Sequence, residues 1–197
     1  GCKEYVEVPL SPSEQKRVDS ALLQTAPTPK HVLNIDVEDQ VRLIGIDASK
    51  SEVAAGERLV ITLYLEALNE RMEDNHVFLH FQCRGRPNFQ NLDGRSLTHR
   101  LHPLRNFKKG DRVADRIDFQ VHAGCKSGSA TLYWGLFRGA DRLKFTNVNK
   151  GKISRDGRLK AFSIKVNARA PAVLSAQKTD STIAIDGKLD EAIWRTA

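Results

Sequence analysis

Arg84, Arg86, Asn88, Phe89, Asn91, Asp93 and Arg95 fall in one short stretch of the chain. Guanidiniums donate in planar pairs, amides donate and accept, a carboxylate accepts, and a phenyl ring offers a flat apolar face. That set suits a saccharide, whose hydroxyls are matched in pairs while its C–H face stacks on a ring. The same residues also describe an ordinary long connection between strands, polar because it runs over the surface.

Other groups able to do chemistry are scattered. His76 and His80 are four apart, and on a strand that is about 13 Å, too far for both to hold one metal. His99 and His102 lie in "THRLHP" without identifiable partners, and Asp36, Glu38 and Asp39 cluster without the regular spacing of a calcium loop. The sequence carries no nucleophile elbow, phosphate loop, dinucleotide fingerprint or paired-histidine zinc helix. No pair of carboxylates stands out for glycosidase work. The expectation is a non-catalytic protein with no cofactor and no metal.

The elements that must position these groups are strands. In "RLVITLYLEAL", Leu59, Ile61, Leu63 and Leu65 share one face; in "NHVFLHFQC", Val77, Leu79, Phe81 and Cys83 oppose His76, Phe78, His80 and Gln82. "DRIDFQV" places Ile117, Phe119 and Val121 inward, and "TLYWGLF" is apolar on both faces, so Leu132, Trp134 and Leu136 belong to a central strand. "VRLIGID", a short piece from Arg142 to Phe145, and "RLKAFSIKV" with Phe162, Ile164 and Val166 inward complete the set. Turn dipeptides such as Ala55-Gly56, Lys109-Gly110 and Asp156-Gly157 separate the runs. Roughly seven strands with almost no helical periodicity predict a mainly β fold, an immunoglobulin-like antiparallel sandwich over residues 41–168. Its order of Cys83, Cys125 and Trp134 is not the antibody order of Cys, Trp, Cys.

Charge is unevenly placed. The chain of 197 residues carries a formal net charge of +7, but residues 1–83 hold 8 Lys+Arg against 14 Asp+Glu, residues 84–116 hold 9 against 3, and residues 142–169 hold 9 against 1. The basic segments would suit anionic lipid heads, acidic glycan or an acidic protein partner, or they are solvated faces of strands and loops. With no zinc-finger spacing, no ribonucleoprotein aromatic signature and no basic helical stripe, nucleic acid is not an expected partner. No run approaches the 18 or so apolar residues of a membrane helix.

Three cysteines leave at least one unpaired within the chain. If the strand ending at Cys83 and the strand beginning after Cys125 are antiparallel neighbours, the two sulfurs can bond; two free buried thiols are the alternative. The opening Gly1-Cys2 resembles the end of a bacterial lipobox, which implies a lipidated Cys2. The polar, proline-containing residues 1–40, with one short helix in "SEQKRVDSALLQ", read as a tether from that anchor.

Near the other end, alternation in Thr182–Ile185, the turn pair Asp186-Gly187, an N-cap at Asp190 and the Leu189–Trp194 spacing of a hydrophobic staple read as strand, turn and helix start. Ile185-Asp186-Gly187, Leu189-Asp190-Glu191 and Trp194 resemble the N-terminal signature of family 9 carbohydrate-binding modules, β-sandwich domains often carried by secreted or surface proteins. In that family the sugar-contacting aromatics and any calcium ligands lie further along, so no binding residue carries over and Trp194 reads as core. "VAAGERLVITLYLEAL" and "GLFRGADRL" are similar to bacterial immunoglobulin-like domains found beside glycan-handling modules.

These readings divide the chain into an anchor and tether (1–40), a sandwich (41–168), a linker (169–180) and the start of a carbohydrate-binding-module-like domain (181–197). The function they imply is a non-catalytic module of a bacterial cell-envelope or extracellular lipoprotein, membrane-anchored after signal-peptide cleavage and associated with a polysaccharide or surface glycan. The rivals are a protein-interaction module of an envelope or adhesion complex and an accessory domain of a larger glycan-active hydrolase.

Overall fold

Along Arg58–Ala67, Leu59, Ile61, Leu63 and Leu65 are all buried while the residues between them are half-exposed, as period-two alternation requires of a strand with one covered face. The computed structural model describes residues 9–70, 73–85 and 89–168. In chain order its elements are α1 (Pro12–Ala21), β1 (Leu22–Leu23), β2 (His31–Val37), β3 (Val41–Ala48), β4 (Glu52–Ala54), β5 (Arg58–Ala67), β6 (His76–Gly85), β7 (Gln90–Asn91), α2 (Leu97–Arg100), β8 (Arg112–Gln120), β9 (Cys125–Arg138), β10 (Asp141–Arg142) and β11 (Leu159–Asn167). Single-turn helices occupy Asp93–Arg95, Leu104–Asn106 and Lys150–Lys152.

One sheet runs β1-β8-β5-β3-β2 and the other β4-β11-β9-β6-β7, with β10 paired to β9. Neighbours are antiparallel except β4, which runs parallel to β11. The chain thus leaves the first sheet after Ala48 and joins the second as β4. That crossing, with β5 on β8 and β6 on β9 on β11, is an immunoglobulin-like order. The inward faces meet in one core around Trp134, Phe81, Leu43 and Ile117, where the Phe81 and Phe119 rings meet edge to face at 5.1 Å.

Cys83 and Cys125 form a disulfide with their Cα atoms 5.7 Å apart. It lies inside the second sheet, between β6 and β9, where the ladder slips between Gln82 and Arg84. Antibody domains instead bridge their two sheets.

Two expectations change. Residues 12–37 do not stand off as a tether, because Val18 and Ala21 of α1 reach the core and Ile35 and Val37 bury the end of β2 along the edge of the first sheet. Ser11 starts α1 through a capping box, its hydroxyl accepting from Glu14 N and its amide donating to the Glu14 carboxylate. Phe162 is not fully inward: the β11–β9 ladder slips between Lys160 and Phe162, so Leu159, Ala161 and Ile164 fill the core while Phe162 is half-buried beside the His31 ring at 5.0 Å. Cys2, Arg86, Asn88, the 169–180 linker and the 181–197 stretch lie outside the described residues.

Candidate functional site

The outer face of the second sheet is built from the residues that alternate away from the core. β6 presents His76, Phe78 and His80, and β9 presents Tyr133, Gly135 and Phe137, in register so that His80 faces Tyr133 and Phe78 faces Gly135. Gly135 is required there, since a Cβ would stand 2.5 Å from Phe78 Cζ and 3.3 Å from Phe145 Cζ. The vacancy of one side chain seats another ring.

Onto this row β10 and the segment that follows it fold two guanidiniums. Arg158 lies 4.2 Å over the Tyr133 ring and Arg142 5.0 Å over Phe78, both cation–π distances. Asp156 joins them, with Arg158 Nε at 2.7 Å and Arg142 Nη1 at 3.2 Å from its Oδ2, while Ser154 Oγ donates to Oδ1 at 2.5 Å. Burial opposes the Asp156 charge, but the Ser154 hydroxyl and the two guanidiniums outweigh it and hold the carboxyl far below the usual carboxylate range.

His80 links this pair to the loop. Its Nδ1 is 3.5 Å from Arg158 Nη1 and its Nε2 3.9 Å from Asp93 Oδ1. Burial pushes its pKa down against the pull of Asp93, so the imidazole is neutral at neutral pH. Phe89, 49% exposed, packs on the His80 ring at 5.1 Å. Asp93 accepts the Leu79 amide at 2.6 Å, and Asn91 donates to Asp93 at 3.1 Å. The result is a strip across the sheet, Phe89, His80, Tyr133 with Arg158, then Asp156, Arg142 and Phe78. Apolar rings alternate there with fixed donors and acceptors.

Of the seven loop residues, the five that are described do not converge as one site. Phe89, Asn91 and Asp93 join the strip, whereas Arg84 lies toward the disulfide, its Cδ 2.9 Å from where a Gly128 Cβ would sit. Arg95 turns to the other sheet and donates to the Asp118 carbonyl at 2.9 Å. Tyr133, Arg142, Asp156 and Arg158 are not candidate site residues in the sequence, and His80 enters there only as a metal ligand set aside on spacing. Their signal was present in the outward positions of "NHVFLHFQC" and "TLYWGLF" and in the basic 142–169 segment, but their meeting depends on which strands neighbour each other.

The other titratable clusters are dispersed by their own contacts. His99 Nδ1 is 3.0 Å from the Val77 carbonyl, His102 packs edge-on against Phe107 at 4.7 Å, and His76 packs against Phe137 at 5.4 Å. Asp36 pairs with Arg42 at 2.6 Å, Glu38 accepts the Lys144 amide, and Asp39 accepts from Gln40 and Asn69. Among the described residues no group of three His, Cys, Asp or Glu is arranged to hold a metal ion. No helix among them is long and apolar enough to cross a membrane.

Fold and face together define an immunoglobulin-like β-sandwich carrying a ring-and-charge strip on its second sheet. No family model and no curated protein matches this sequence. Among solved structures, the crystal structure of the C-terminal domain of Wzt is similar with a TM-score of 0.45 at 10% identity, over 79% of this chain and 93% of that one. A likeness of that size adds nothing to the description of the site.

Proposed function

We propose that this chain is a non-catalytic, carbohydrate-associated module of a bacterial cell-envelope lipoprotein and that its sandwich takes a glycan on the outer face of the second sheet. The observation that supports this most is the exposed Phe89 ring, backed by His80 and flanked by Asn91 and Asp93. A stacking surface and polar groups held by their own hydrogen bonds are what sugar recognition needs. Arg158 and Asp156 extend the polar part of that surface across the sheet. Anchoring at Cys2, and a carbohydrate-binding-module-like domain opening at residue 181, belong to the same proposal and rest on the sequence motifs alone.

The test is a glycan array on the intact protein, followed by titration of the best neutral oligosaccharide. Phe89→Ala is expected to weaken binding about two- to tenfold, since loss of one stacked ring costs roughly 0.5–1.5 kcal/mol. An array with no binder sinks the glycan reading. Salt-sensitive capture of an acidic protein partner would then support the interaction module, and hydrolase activity of the full-length product would support the accessory domain.

A further inference from the structure

A second cleft opens on the other sheet. It lies between α1, the Asp93–Arg95 turn and the outward faces of β5 and β8, encloses about 730 Å³, and has a floor of small residues including Ala21, Thr62 and Ala114. Past Arg95 and Asp118 it continues into a recess of about 590 Å³ beside Arg58 and Gln120.

The charge around this groove is unbalanced. Arg17, Arg58, Arg95 and Arg116 line it with a single acid among the described lining residues, Asp118. Arg58 grips that carboxylate with two bonds of 2.6 Å, Arg116 lies 3.4 Å from it, and Arg95 donates to the Asp118 carbonyl. Arg17 makes no ion pair among the described residues, and it projects from a helix whose last turn abuts the groove. One carboxylate against four guanidiniums leaves three positive charges.

Elsewhere on the same sheet face the charges cancel. There Arg42 and Arg112 meet Asp36 and Glu66 in a two-against-two network with contacts of 2.6 to 3.7 Å. A solvated strand face explains that network and does not explain the groove.

We infer that this groove is a binding site for an acidic polysaccharide, a chain bearing carboxylate or phosphate groups along its length, separate from the ring-and-charge strip. Its concave shape takes a chain between two walls, whereas a membrane presents a plane. It offers no exposed ring on which a base would stack, because its one aromatic lining residue, Phe119, is 2% exposed and turned into the core. Guanidiniums bind carboxylate and phosphate alike through paired donors, and Thr62 and Ser20 line the same groove.

The experiment is calorimetric titration of the intact protein with oligogalacturonate, a glycerol-phosphate polymer, a neutral oligosaccharide of equal length, and phosphatidylglycerol vesicles, at low and at physiological salt. Binding of either acidic chain, weakened about tenfold by Arg17→Gln and by raised salt but unchanged by Tyr133→Ala, supports the proposal. Arg17 is an exposed helix residue, so its replacement leaves the fold intact. No binding of either acidic chain, binding lost with Tyr133→Ala and untouched by Arg17→Gln, or binding to vesicles alone overturns it. The glycan proposal for the other sheet stands or falls separately, on the neutral oligosaccharide and Phe89→Ala.

Discussion

Asp115 is fully buried in β8 and accepts four hydrogen bonds, from Ser96 Oγ at 2.5 Å, Leu97 N and Thr98 Oγ1 at 2.8 Å, and Thr98 N at 3.3 Å. It caps α2 from across the fold and ties the long β7–β8 connection to the first sheet. Asp115→Ala would strand buried amides and hydroxyls, at about 3–5 kcal/mol, read as a lower urea midpoint. Gly135→Ala is a sharper probe of the strip. Its methyl would collide with Phe78, so about 1–3 kcal/mol should be lost, together with glycan affinity if that face binds. Neither residue announces itself in the sequence. An aspartate inside "VADRIDF" breaks the alternation it belongs to, and only the opposing loop shows why.

Among the elements, the β6–β9 ladder carries the most structure in one place. It sets His80 against Tyr133, seats Phe78 over Gly135 and closes the disulfide at its bulged end. The sequence separation of 42 residues makes the bond worth about 4 kcal/mol in the chain-entropy model. Replacing Cys83 and Cys125 together by serine should lower stability by about 2–4 kcal/mol while leaving the sandwich folded. Peptide mapping without reductant should recover the two half-cystines linked, and finding both as free thiols would refute the pairing. The ladder was legible in part. Alternation identified both strands and their inward faces, while the slip in β11 that half-exposes Phe162 left no mark, because a bulge changes register without changing composition.

For the whole molecule, acid is the informative perturbation. Burial holds the His80 and His102 pKa values below 6.5, so the folded protein binds fewer protons than the unfolded chain there and stability falls as pH drops below about 6.5. Asp156, whose carboxyl is depressed far below its ordinary 3.8, adds a second loss that begins as pH falls through about 4. Urea midpoints should be flat above pH 7, decline in these two stages and lose part of the first stage in His102→Asn. An opposite slope between pH 7 and 5 would mean the imidazoles gain protons on folding. Local alternation and turn chemistry determined, from sequence alone, the β class, most strands and most of the core, because a period of two is a property of neighbouring residues. The incorporation of residues 12–37, the meeting of His80, Tyr133, Asp156 and Arg158, and the gathering of four arginines along the groove that holds Asp118 were decided only in three dimensions. Each depends on partners tens of residues away, and the sheet order that brings them together is set by core packing, which no local pattern records.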